Sequence, residues 1–222
     1  MMFKRLLFCS LALTFCTGAL AADKIPVVNE GGISNNWTLA PGATLPAPAY
    51  PEIYRSSGAE VCVAIGYLLN EDGTTSDFSL LRSWSSDEPS QAKEEYWSLF
   101  ANDASNALAR WKFAPKPEVT NPKPVYTVAT FLFGAKDVAK LRSKCAISDL
   151  ALHIVQIRAD GKTRRRLEAF PIYDRLDIDP AMVNRVDQQY RAQRQSESQM
   201  SRDQRNSGNG VGSSVSGNQG RR

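Results

Sequence analysis

The sequence predicts a small α+β domain, in which one amphipathic helix packs on an antiparallel sheet, extended by an additional β-hairpin and a C-terminal helix. Three patterns predict this class. Residues 61–69 are an apolar run typical of a buried strand, an Asp-Gly turn follows them, and residues 96–111 carry apolar side chains at helical spacing. The resulting order of hairpin, helix and strand favours a helix packed on an antiparallel sheet.

The N-terminus has the features of an export signal. A short basic segment is followed by an uncharged run from Leu6 to Leu20, which ends in the small-x-small pattern Ala19-Leu20-Ala21. We therefore predict that residues 1–21 are a cleaved signal peptide and that the mature protein is periplasmic. The alternative is an inner-membrane anchor through residues 6–21, although this run is shorter than the roughly 20 apolar residues that span a bilayer.

Residues 22–49 contain several glycines and prolines and little periodicity, which predicts an extended lead-in to the domain. Order is predicted to begin at Tyr50 and Pro51. From Val61 to Leu69 both alternating faces are largely apolar, and Asn70-Glu71-Asp72-Gly73 predicts a hairpin turn. The return strand is expected to run to about Trp84, with Phe78, Leu80 and Trp84 on one face.

The amphipathic helix is predicted to start at Ser86-Asp87-Glu88-Pro89, because serine or aspartate favours the N-cap and proline the first turn. Its apolar stripe consists of Tyr96, Leu99, Phe100, Ala104, Ala107, Leu108 and Trp111. Pro115 and Pro117 end this element. A third strand is predicted from Val125 to Phe133, with one face formed by Val125, Thr127, Ala129, Phe131 and Phe133.

The remaining chain is predicted to form an extension and a tail. Residues 135–180 are expected to contain a second hairpin, with a strand at Ala151–Ile157, a turn at Arg158–Gly161 and a return strand at Lys162–Tyr173. Residues 181–222 carry seven arginines against three acidic residues, so the basic character of the chain lies in this tail. Ala181–Arg205 favours a helix, and Ser207–Arg222 has the composition of a disordered segment.

Two cysteines, Cys62 and Cys145, remain after removal of the signal. An even pair in an oxidising compartment predicts one disulfide, and the alternative is two buried free thiols. The single histidine, His153, lies in the predicted second hairpin, and no phosphate-binding loop or nucleophile-base constellation is evident. We therefore expect no enzymatic activity, no cofactor and no metal site.

Fragments of residues 50–134 resemble the C-terminal domain of TonB, the energy-transducing protein family of the bacterial envelope. They fall in the order and spacing of that family: Tyr50-Pro51, Gly58-Ala59-Glu60-Val61, Asn70-Glu71-Asp72-Gly73, Ala109-Arg110-Trp111-Lys112-Phe113-Ala114-Pro115 and Pro124-Val125. Elementary physics explains several of these positions. Gly73 provides the backbone angle of a tight turn, and Trp111 and Phe113 have large surfaces to bury where the helix ends.

The resemblance implies a function in peptide binding. Domains of this family capture an extended segment of an outer-membrane receptor beside their final strand, by strand addition. Here it implies a peptide edge formed by Tyr126, Val128, Thr130 and Leu132, with Tyr50 nearby. The expected partner is an extended segment of an envelope protein, such as a TonB-dependent receptor, or a second copy paired through the last strand. The alternative is that the second hairpin covers this edge.

Energy transduction itself is not expected. The chain has no histidine near its N-terminus to engage an inner-membrane motor, and residues 23–49 are too short for a spacer across the periplasm. Ala47 also stands where the family often has glutamine. A second hypothesis is an envelope scaffold that uses the basic tail on anionic surfaces. Neither hypothesis includes nucleic acid or a small-molecule substrate.

Overall fold

The computed structural model describes residues 23–87, 89, 93–160 and 172–208. The predicted signal peptide and residues 209–222 of the tail lie outside this range, and their assignments stay predictions. The strands are β1 (Ile25–Pro26), β2 (Trp37–Leu39), β3 (Val61–Leu69), β4 (Thr75–Ser85), β5 (Phe113–Pro115), β6 (Val125–Phe133) and β7 (Leu176–Asp177). The helices are α1 (Lys93–Leu108), α2 (Val138–Cys145), α3 (Leu150–Ala159) and α4 (Pro180–Gly208).

The centre of the fold is a three-stranded antiparallel sheet in the order β4-β3-β6. Every residue of β3 is buried, because the sheet is covered on both faces. One face packs on α1, and the other packs on α2 and α3. The α+β class is therefore confirmed, and the two apolar faces of β3 are explained by a second helical layer that we did not predict.

The hairpin between β3 and β4 has the turn that the sequence predicts. The carboxylate of Asp72 accepts hydrogen bonds from the backbone N–H of Thr74 at 2.9 Å and from its hydroxyl at 2.6 Å. These bonds lower the pKa of the Asp72 carboxyl. Gly73 has a φ of 77°, a conformation that side chains other than glycine adopt at a cost. The turn residues thus fix the register of the hairpin.

A bulge in β4 corrects the predicted faces of this strand. Phe78 and Leu80 pack on the α1 side, as predicted, but Trp84 packs with the α2 and α3 side. The register shifts between Ala64 and Ile65 of β3, where an extra β4 residue is accommodated. An extra residue reverses the face of every side chain beyond it, which is why the alternation fails for Trp84.

Helix α1 buries the stripe that its spacing predicts. Of the predicted residues, Tyr96, Phe100, Ala104, Ala107 and Leu108 are buried, together with Trp97, whereas Leu99 is half-buried and Trp111 lies three residues after the helix. Its predicted start at residues 86–89 cannot be placed, since residues 88 and 90–92 lie outside the described residues. The strand predicted after it is confirmed as β6, which pairs with β3 over its full length.

The predicted second hairpin is wrong where the structure describes it. Residues 150–159 form helix α3 in place of a strand and turn. The Asp149 carboxylate accepts the backbone N–H of Leu152 at 2.9 Å, and Leu150 and Ile154, one helical turn apart, are fully buried. A short apolar run fits a buried strand and a buried helix equally well, so its N-cap is the deciding feature. Gly161 of the predicted turn and residues 162–171 of the predicted return strand lie outside the described residues.

Substitution of the N-cap residue of α3 tests the assignment of residues 150–159 as a helix. Replacing Asp149 with alanine is expected to lower the free energy of unfolding by about 1 kcal/mol, because the N–H of Leu152 loses its acceptor. Asp149→Asn keeps the acceptor and is expected to stay close to the unchanged protein. Urea denaturation of both variants measures the difference. Equal losses in the two variants would show that the oxygen of residue 149 does not cap the helix.

Residues 23–49 belong to the folded body, which differs from the predicted lead-in. Trp37 is buried on the α1 side of the sheet, and β2 pairs antiparallel with β5. β1 pairs parallel with β7. The indole N–H of Trp111 also donates to the carbonyl of Pro46 at 3.3 Å. Prolines and glycines in this segment mark irregular backbone, but they do not indicate whether that backbone is packed.

A disulfide joins the central strand to the second helical layer. Cys62 of β3 and Cys145 at the end of α2 are bonded, with a Cα–Cα distance of 6.0 Å. This is the predicted pairing, and the alternative of two free thiols is not the arrangement in the structure. Both cysteines are fully buried among apolar side chains.

The C-terminal helix α4 confirms the helix predicted from residue 181. Val186 near its start is buried, whereas residues 191–200 are all exposed. Among the described residues, no helix has the length and apolarity to cross a membrane.

Candidate functional site

The outer side of β6 is the candidate site, and we call it the β6 edge. β6 lies at one border of the sheet, and only its other side pairs with β3. Alternate residues of an edge strand direct their N–H and C=O groups away from the sheet. In β6 these are Tyr126, Val128, Thr130 and Leu132, because the carbonyl of Tyr126 and the N–H of Thr130 both bind groups on the outer side.

Part of the β6 edge is occupied by residues 25–30 of the same chain, which we call the strap. Val27 forms a parallel bridge with Tyr126, and the N–H of Val28 donates to the Tyr126 carbonyl at 2.9 Å. Asn29 follows, and its carbonyl accepts the Thr127 hydroxyl at 3.3 Å. The strap thus lies beside β6 as a short additional strand.

Glu30 is the last residue of the strap. Its carboxylate accepts the outward-facing N–H of Thr130, which a backbone carbonyl of a neighbouring strand would otherwise accept. Its Oε1 accepts the backbone N–H of Thr130 at 2.9 Å, and its Oε2 accepts the Thr130 hydroxyl, also at 2.9 Å. The Arg142 guanidinium of α2 lies 3.3 Å from Oε1. Three donors of different kinds therefore surround one carboxylate.

Two further contacts hold the strap against the second helical layer. The side-chain oxygen of Asn29 accepts the N–H of Leu150 at 2.8 Å, at the start of α3. Ile25 is buried with Leu141 and Leu176 in the apolar cluster of that layer. The strap is consequently fixed at both of its ends.

The strap leaves the β6 edge directly after Glu30. Gly31 has a φ of 83°, and a short 3-10 helix at Gly32–Asn35 carries the chain toward Trp37. Beyond the bridge at Val27 and the Glu30 contact, no bridge from the described residues reaches the β6 edge, so Leu132 lies past the end of the strap.

The segment that covers part of the β6 edge is not the one that the sequence led us to expect. We considered that the hairpin after β6 would cover it. The described part of that region forms α2 and α3, which pack on the face of the sheet, and β7, which pairs with β1 of the strap. The segment at the edge comes from the N-terminal side of the domain.

The four predicted edge residues differ in side-chain exposure. Tyr126 and Val128 are buried against the second helical layer, Thr130 is 9% exposed, and Leu132 is partly exposed. The outward side of this edge therefore consists mainly of backbone groups and of the rim around Thr130.

Tyr50 lies near the far end of the same strand. Its ring makes edge contacts with Phe100 and Phe133, at centroid distances of 5.2 and 6.1 Å, and its hydroxyl donates to the carbonyl of Ala59 at 3.1 Å. These contacts give it a packing role at the end of β6.

The remaining family-motif residues have structural positions. Phe113 donates its N–H to the carbonyl of Gly73, Trp111 packs against Tyr67 and Phe131, and Pro115 pairs with Trp37. Together they join the hairpin turn, the end of α1 and the lead-in. Pro51 precedes a 3-10 helix at Glu52–Ser57.

His153 of α3, the only histidine of the sequence, contacts the opposite edge strand of the sheet, β4. The His153 Nε2 donates to the carbonyl of Leu81 at 3.1 Å, since a carbonyl can only accept. Burial lowers the pKa of this imidazole, the bond to Leu81 raises it, and the nearby Arg82 lowers it further. No cluster of three metal-ligating side chains occurs within the described ranges.

The lowered pKa of His153 predicts a pH dependence of stability. The unfolded chain has an ordinary histidine pKa of about 6.5, so it binds more protons than the folded chain just below that pH. The free energy of unfolding is therefore expected to fall as the pH drops from 7.5 to 5.5. His153→Gln keeps an N–H donor and is expected to reduce this fall, as measured by urea denaturation at both pH values. An unchanged pH dependence in the variant would contradict the assignment.

Sequence reasoning did not identify the strap. Glu30 is separated from Thr130 by 100 residues and from Arg142 by 112. It lies in a segment without periodicity, where a lone acidic residue gives no signal of its own.

Comparison with known proteins gives limited information. No protein-family model and no curated protein matches the chain. Among solved structures, it has a weak similarity to the solution NMR structure of the Pseudomonas aeruginosa TonB C-terminal domain, with 21% identity and a TM-score of 0.35. The match covers 46% of this chain and 88% of that chain. Similarity at this level does not establish a function, which has to be inferred from the contacts of the chain itself.

Proposed function

We propose that this protein is an exported binding module of the bacterial cell envelope that receives an extended peptide segment by strand addition at the β6 edge. Its partner is a segment of another envelope protein, such as a TonB-dependent receptor. The module has no catalytic role. After removal of residues 1–21 it acts in the periplasm.

The observation that carries this proposal is the strap. A short extended segment already lies parallel to β6, with the Val28 N–H bonded to the Tyr126 carbonyl. An edge strand offers a row of backbone donors and acceptors, and an added strand satisfies them. The strap supports the proposal because it has the geometry of such an added strand.

The strap also defines how the site would be regulated. An external peptide that takes the same positions has to compete with residues 25–30. The apparent affinity is then the intrinsic affinity of the open edge multiplied by the fraction of molecules in which the edge is free. A variant with a weakened strap is therefore the sensitive form for detecting binding.

The experiment uses the full-length chain with Val28→Pro, which removes the N–H that binds Tyr126. The probe is a fluorescent peptide with the sequence of residues 24–30, Lys-Ile-Pro-Val-Val-Asn-Glu, amidated at its C-terminus. We expect saturable binding by fluorescence anisotropy, about fivefold tighter than to the unchanged chain, because one backbone hydrogen bond contributes roughly 1 kcal/mol.

Two methylated peptides are the matched controls. N-methylation at the position of Val28 removes the donor to Tyr126 and is expected to weaken binding several-fold. N-methylation at the position of Asn29 changes an N–H that points to the opposite side of the strand and lies beyond the β1–β7 pairing, and it is expected to leave binding largely intact. No binding of any peptide, or equal weakening by both methyl groups, would refute strand addition at this edge.

A further inference from the structure

The contacts of Glu30 identify a carboxylate subsite within the β6 edge. We propose that Thr130 and Arg142 select an acidic side chain in the incoming peptide, so that the partner is an extended segment with a glutamate or aspartate at the position that Glu30 occupies. This inference rests on the proposed function, because it specifies which peptides the same edge takes.

The donors of the subsite favour a carboxylate over a neutral amide of the same shape. The backbone N–H and the hydroxyl of Thr130 each bind a different oxygen of Glu30, and both distances are 2.9 Å. A carboxylate has two acceptor oxygens and no donor, whereas glutamine would direct an NH₂ group at one of these donors. Glutamine can enter only with its oxygen toward the N–H and its NH₂ toward the hydroxyl, which must then accept, and both hydrogen bonds lose the negative charge that strengthens them.

Arg142 adds charge to this geometry. Its guanidinium lies 3.3 Å from the Glu30 carboxylate, and half of its side chain is exposed while about a third of the Glu30 side chain is exposed. An ion pair of that exposure is weak and is screened by salt. Thr130 is therefore expected to provide most of the selectivity, and Arg142 its salt-dependent part.

The position of the subsite fixes the direction of the bound segment. In the strap, the residue bonded to Tyr126 precedes the acidic residue by two, and the segment runs parallel to β6. A ligand that uses both contacts must therefore place its acidic side chain two residues after the backbone N–H that binds Tyr126. An antiparallel ligand cannot satisfy both contacts in this order.

The experiment compares peptides of residues 24–30 that differ only at the last position, Glu, Asp or Gln, all amidated so that the side chain is the only carboxylate. The receiving protein is the full-length chain with Val28→Pro and Glu30→Gln, which empties the subsite of its own acid. We expect the glutamate peptide to bind about tenfold more tightly than the glutamine peptide, as for a hydrogen bond to a charged group.

Three further variants of that chain assign the selectivity. Thr130→Val keeps the backbone N–H and the shape of the side chain but removes the hydroxyl, and it is expected to reduce the ratio of glutamate to glutamine affinity to about threefold or less. Thr127→Val is the matched control, because its hydroxyl binds the carbonyl of Asn29. It is expected to weaken both peptides equally and leave the ratio unchanged. Arg142→Gln is expected to remove the salt dependence of the ratio.

The outcomes separate the two proposals. If the glutamate and glutamine peptides bind equally well, and methylation at the Val28 position still weakens both, strand addition stands and the carboxylate subsite is refuted. If no peptide binds, both proposals fail. A peptide that ends at Asn29 with a free C-terminal carboxylate and binds as tightly as the glutamate peptide would refute selection of an acidic side chain in favour of a chain terminus.

A measurement within the chain itself applies if the double variant does not fold. Unfolding equilibria of Glu30→Gln, Thr130→Val and the combined variant form a double-mutant cycle on the unchanged strap. We expect a coupling of about fivefold in the unfolding equilibrium constant between the two side chains. Additive effects of the two substitutions would show that the Thr130 hydroxyl does not distinguish a carboxylate from an amide, and the subsite would be refuted.

Discussion

Breaking the disulfide between Cys62 and Cys145 is expected to lower the free energy of unfolding by about 4.5 kcal/mol. The bond closes a loop with a sequence separation of 83 residues. In the chain-entropy description, a cross-link that closes a loop of this length lowers the conformational entropy of the unfolded state. At 25 °C this raises the free energy of the unfolded state by about 4.5 kcal/mol. A small domain has a total stability of roughly 5–15 kcal/mol, so this is a large share of it.

Urea denaturation with and without reductant measures the effect. The control is the double variant Cys62→Ala with Cys145→Ala, which is expected to be as unstable as the reduced protein and insensitive to reductant. If reductant lowers the stability of this variant as well, the loss does not come from the bond. Equal stability of the oxidised and reduced chains would contradict the prediction directly.

Gly73→Ala is expected to lower the free energy of unfolding by about 3 kcal/mol or more. Two effects combine at this position. The φ of 77° costs about 1–2 kcal/mol for a residue with a Cβ. A Cβ at Gly73 would also overlap the backbone carbonyl of Phe113, which cannot turn aside as a flexible side chain can. Overpacking of this kind typically adds about 1–3 kcal/mol.

Gly42→Ala is the matched control for this substitution. Gly42 has a similar φ of 73°, but a Cβ there would have no neighbour within 4 Å. It is therefore expected to lose only the conformational part, about 1–2 kcal/mol. If both variants lose the same stability in thermal or urea denaturation, the contact with Phe113 carries no energetic weight.

The sheet and α1 were predictable because their signals are local. The alternation in residues 61–69, the Asp-Gly turn and the apolar stripe of α1 each lie within one element. The face of Trp84 was not predictable, since it depends on a bulge that no residue type marks. The α3 segment failed for a different reason: a run such as Leu150–Ile157 is too short and too apolar for periodicity to distinguish helix from strand.

The candidate site was predictable in part. The resemblance identified β6 as the strand of interest, and the alternation along it identified the residues whose backbone groups face outward. It could not identify the strap, because hydrogen bonds between Glu30 and Thr130 join positions 100 residues apart. The second helical layer was indicated by β3, whose two apolar faces require two covering layers, but its elements gave no clear pattern.

The partners of the strap also determine the order in which the chain can fold. Ile25 pairs with Leu176, and Asn29 accepts a hydrogen bond from Leu150, 121 residues later. Residues 25–30 are made before all of these partners, so they can be fixed only after most of the chain exists. Contacts of such long sequence separation form slowly. Until they form, the β6 edge is exposed in a nascent chain, where its unpaired backbone groups can pair with other chains during synthesis.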